Sequence, residues 1–80
     1  MANRQTAAEA YEANRRDILA MIDMLRTELA VHAQHAAAQP RNWAFAGDLG
    51  SVRRRVLEVL IFLSGRSEAS IEDALADARK

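Results

Sequence analysis

Eighty residues allow one small domain, and a chain of this size hides only roughly 60% of the surface that its unfolded form exposes. Cysteine is absent, which excludes disulfides, thiolate metal sites and cysteine nucleophiles. Eleven basic residues balance eleven acidic ones, so no net charge draws the chain to nucleic acid or anionic lipid. The apolar half of the composition includes 17 alanines, leaving 23 larger side chains to build a core. With three glycines and one proline, an alanine-rich helical fold is the expectation.

The first ten residues contain no apolar run suited to a secretory segment. The longest apolar stretch, residues 59–63, is far shorter than the roughly 20 residues of a membrane span. These features lead us to expect a cytoplasmic protein without a membrane partner.

The first periodic segment extends over about residues 6–38. Ala8, Tyr11, Arg15, Ile18, Ile22, Leu25, Leu29, His32 and Ala36 recur at steps of three and four, the pattern of a helix packed on a partner helix. Thr6 with Glu9 forms a capping-box signature at its start. Pro40 closes the segment, because the residue before a proline avoids the helical region. The following stretch places Trp43 and Phe45 in a connection, where they are expected to plug the end of a helical pair. Asn42 is suited to cap a short turn there, and Gly47 and Gly50 to permit close approach or a sharp bend.

Asp48 is a good N-cap, and Leu49, Val52, Val56, Val59 and Leu63 follow in phase, predicting a second helix over 49–64 that ends at Gly65. Seven of the eight residues 56–63 are apolar, so one partner helix does not cover them. Ser67 or Ser70 caps a short third helix ending near residue 78. The expected fold is therefore all-α: a long N-terminal helix in an antiparallel hairpin with helix 49–64, plus a helix at about 68–78. Apolar excess at Leu57, Leu60, Ile61 and Phe62 predicts a homodimer with a four-helix-like core.

Three groups of residues are candidate sites. Glu28, His32 and His35 lie at i, i+4 and i+7 and offer metal-ligand chemistry, but no Glu-x-x-His segment accompanies them and packing is the simpler role. Arg53, Arg54 and Arg55, with Arg41 upstream, offer phosphate contacts. Consecutive helical residues fan over roughly 200°, however, so the run does not make one flat patch. Trp43, Phe45, Leu57, Leu60, Ile61 and Phe62 form the expected protein-interaction set, aromatic residues being strong interface anchors. No serine, threonine or carboxylate stands in a recognisable catalytic arrangement, so neither an enzyme nor a cofactor is expected. The leading expectation is a small homodimeric adaptor or regulatory protein with an unidentified protein partner. The alternative is a dimeric nucleic-acid-binding regulator using Arg41 and residues 53–55.

Overall fold

A computed structural model describes residues 4–79. Among them are three helices and no strand: α1, Ala7–Ala38; α2, Trp43–Ser64; and α3, Glu68–Ala78. The chain divides into two compact units, Met1–Pro40 and Arg41–Lys80. No helix is long and apolar enough to cross a membrane.

The first unit is α1 alone. Thr6 caps it: the Thr6 side-chain oxygen accepts from the Glu9 backbone N–H at 3.1 Å, and the Thr6 N–H donates to Glu9 Oε1 at 3.0 Å. The bonds from Thr6 hold the Glu9 carboxyl below its ordinary pKa. Two ion pairs at i, i+3, Glu12–Arg15 and Asp23–Arg26, run along its solvated surface. Leu25, His32 and Ala36 of the expected stripe are half-buried, whereas Ile18, Ile22 and Leu29 remain exposed.

The second helix starts earlier than expected. Residues 43–48 belong to α2, because Asn42 rather than Asp48 is the N-cap and accepts from the Ala44 N–H at 3.0 Å. The aromatic stretch is thus the first turn of a helix and not a connection. Gly47 and Gly50 lie inside that helix, with nothing within 4 Å of a β-carbon added at either, so neither makes a bend or a close approach.

The end of α2 follows the sequence closely. Gly65 takes the left-handed conformation at φ 71°, and its N–H donates to the Ile61 carbonyl at 3.0 Å. The turn is tied on both sides. Ser64 Oγ donates to the Leu60 carbonyl at 2.6 Å and accepts from the Arg66 N–H at 3.1 Å. The Arg66 guanidinium donates to Ser70 Oγ at 3.0 Å and to the Ser70 carbonyl at 3.2 Å. Ser67 then caps α3 by accepting from the Ser70 N–H at 3.1 Å. Eleven residues are too few for a helix to persist alone in water, so α3 depends on docking against α2.

Candidate protein-interaction surface

The contact between α2 and α3 decides which of α2's apolar residues are available. Leu57 and Ile71 are the two buried apolar residues among those described, 4% and 5% exposed. Glu68 and Glu72, one turn apart on α3, bracket Ile71 and receive the arginines of α2. The Arg53 guanidinium donates through both terminal nitrogens to the two Glu72 oxygens, one bond at 3.2 Å. Arg54 donates to Glu68 at 2.9 Å and to Glu58, within its own helix, at 3.3 Å. The hydrogen bond and charge of Arg53 lower the Glu72 pKa despite partial desolvation, and Glu72 in turn raises that of Arg53. Glu68, followed by Glu58, raises that of Arg54.

These pairs change the meaning of the basic run. Arg53 and Arg54 are orienting groups for α3, with their charge met by carboxylates of the same unit. Arg41 and Arg55 are exposed and make no ion pair with any described residue. The signal that identifies the pairing is a Glu-x-x-x-Glu step on a helix joined by a three-residue turn to one bearing adjacent arginines.

The expected apolar interaction set splits in the same way. Leu57 is buried and Ile61 is half-buried. Leu60 is exposed and lines a shallow apolar depression with Ser64, Arg66, Ile71, Ala74 and Leu75. Phe62 is 88% exposed. Trp43 is 85% exposed, while Phe45 is half-buried. Trp43 sits at the first position of α2 and Phe62 near its end, so large aromatic rings stand open close to both termini of one helix.

Metal-ligand geometry is not assembled. Glu28, His32 and His35 remain along one helix, and among the described residues no group of three or more His, Cys, Asp or Glu side chains is placed to hold an ion. His32 is half-buried, whereas Glu28 and His35 are exposed. The chain matches no protein-family model, no curated protein and no solved structure, so its functional reading comes from its own residues.

Proposed function

We propose that this chain is a small cytoplasmic adaptor or regulatory protein that acts through protein–protein contacts as a homodimer, without catalysis. In this reading, α1 and α2 form a hairpin and two copies build a four-helix-like bundle. The observation that supports it most is the exposure of Trp43 and Phe62 on α2. An exposed tryptophan or phenylalanine presents large apolar area with little side-chain entropy to lose, the property that makes aromatics interface anchors. Light scattering after size exclusion tests the dimer: twice the chain mass at micromolar concentration is expected, and a stable monomer refutes it. Loss of a retained host protein on Trp43→Ala, with helicity unchanged, tests the adaptor role.

The second reading, a dimeric nucleic-acid-binding regulator, draws support from Arg41 and Arg55, whose charges no described carboxylate meets. Heparin retention and a salt-sensitive shift of duplex DNA or RNA would favour it.

A further inference from the structure

Few groups hold α3 to α2. Ile71 is the buried residue of α3 and shares the shallow depression with Leu60 and Ser64 of α2. Two ion pairs flank it, Arg53–Glu72 and Arg54–Glu68. A helix of eleven residues does not persist alone in water, so α3 loses its structure when these contacts let go.

The two arginines are not equivalent. Arg53 gives both terminal nitrogens to Glu72 of α3. Arg54 is shared between the helices: one terminal nitrogen donates to Glu68 of α3 at 2.9 Å, while Nε donates to Glu58 of α2 at 3.3 Å. Glu58 lies one turn after Arg54 in the same helix, so it stays within reach whether or not α3 is docked. With α3 docked, Glu58 keeps a single long bond. With α3 gone, the whole guanidinium is free to meet it through two parallel bonds. Undocking therefore strips Arg53 of its bonds to Glu72, but Arg54 only exchanges one carboxylate for another already at hand.

We propose that α3 is a releasable latch, undocking and unfolding as a unit while α2 stays helical, and that Glu58 sets how readily it opens by competing with Glu68 for Arg54. Charge tunes such a latch, because salt screens the two pairs between the helices. Glu58 acts against docking from the helix that receives α3, so removing its charge tightens the latch, whereas removing the charge of Arg54 loosens it.

Native-state hydrogen exchange on the full chain, followed by NMR for α3 and for central α2 amides separately, tests this. In the wild type, α3 amides are expected to be protected and to exchange through openings that leave the centre of α2 protected. The α3 opening constant should rise about two- to five-fold when salt is raised from about 20 mM to about 500 mM. Glu58→Gln should lower that constant about two-fold, and Arg54→Gln should raise it about two- to five-fold. In the double variant the effect of Glu58→Gln should vanish, since nothing is left to compete for. The salt series needs no variant, so it stands even if a substitution perturbs α2. Unprotected α3 amides in the wild type, α3 opening only together with α2, or an opening constant indifferent to salt each overturn the latch. An opening constant in Glu58→Gln equal to or above that of the wild type overturns the competition. An undiminished effect of Glu58→Gln in the double variant also overturns it, in favour of plain repulsion between Glu58 and the carboxylates of α3.

Discussion

Arg53 of α2 holds Glu72 of α3 by a two-point ion pair, nineteen residues apart in the chain. A planar guanidinium meeting a carboxylate through two parallel bonds fixes direction as well as distance. The neighbouring Arg54–Glu68 bond repeats the link one helical turn along α3. Both pairs are open to solvent, so their main effect is to set the register in which Ile71 meets the Leu57 face, rather than to add much stability.

These pairs make α3 docking acid-sensitive. Glu72 has a folded-state pKa below its ordinary value of 4.5. Its contribution is therefore fully present above that ordinary value and is lost as pH falls through the depressed one. Hydrogen exchange of α3 amides should accelerate as pH drops below about 4.5, after correction for intrinsic rates. In Glu72→Gln that extra acid sensitivity should shrink, because the titrating partner of Arg53 is gone. An unchanged acid response in the variant would show that the pair does not couple to docking.

The apolar half of the contact carries more weight. Removing most of the Leu57 or Ile71 side chain by alanine substitution should cost about 2–5 kcal/mol of α3 docking, the range for buried large-to-small changes. Exchange protection in α3 is the direct readout. Unchanged protection in α3 would contradict this assignment.

Glycines at two kinds of position should respond in opposite directions. Gly65 needs φ 71°, where a β-carbon meets the following carbonyl oxygen, so Gly65→Ala should destabilise by about 1–2 kcal/mol. Gly50 lies mid-helix with open space around it, so Gly50→Ala should stabilise α2 by about 0.5–1 kcal/mol. Urea denaturation of the two variants beside the wild type resolves both signs.

Much of this architecture is legible in the sequence because it is written in local chemistry. The Thr6–Glu9 box, the break at Pro40, the left-handed Gly65 and the span of α3 each depend on a few neighbouring residues. The start of α2 is less legible, since Asn42 and Asp48 are both good caps six residues apart. The aromatic pair and Gly47 between them, with Gly50 just beyond, imitate a loop, although a helix tolerates each glycine at a modest cost. The roles of Arg53 and Arg54 are hidden for a different reason. A basic run has the same appearance whether carboxylates from another helix reach it or not, and that depends on the angle set by the turn at 65–67. Leu57 and Val56 are likewise adjacent apolar letters, yet one is sealed and the other open.

Exposure separates binding from folding at the aromatic anchors. Trp43→Ala and Phe62→Ala should each change unfolding free energy by no more than about 0.5 kcal/mol, as expected for surface positions. Retention of a protein partner should nevertheless fall with Trp43→Ala. A large loss of stability in either variant would place that ring in a packed core.

The sparse interior around Leu57 and Ile71 also governs how the protein melts. The heat-capacity change on unfolding follows the apolar surface newly wetted, and among the described residues Leu57 and Ile71 alone are buried apolar side chains. A dilute sample should therefore melt over a broad range with a small calorimetric step. If copies associate as proposed, raising the concentration should enlarge that step and shift the midpoint upward, since association draws the folded state by mass action. Thermal behaviour then becomes a property of the solution's concentration as much as of the polypeptide.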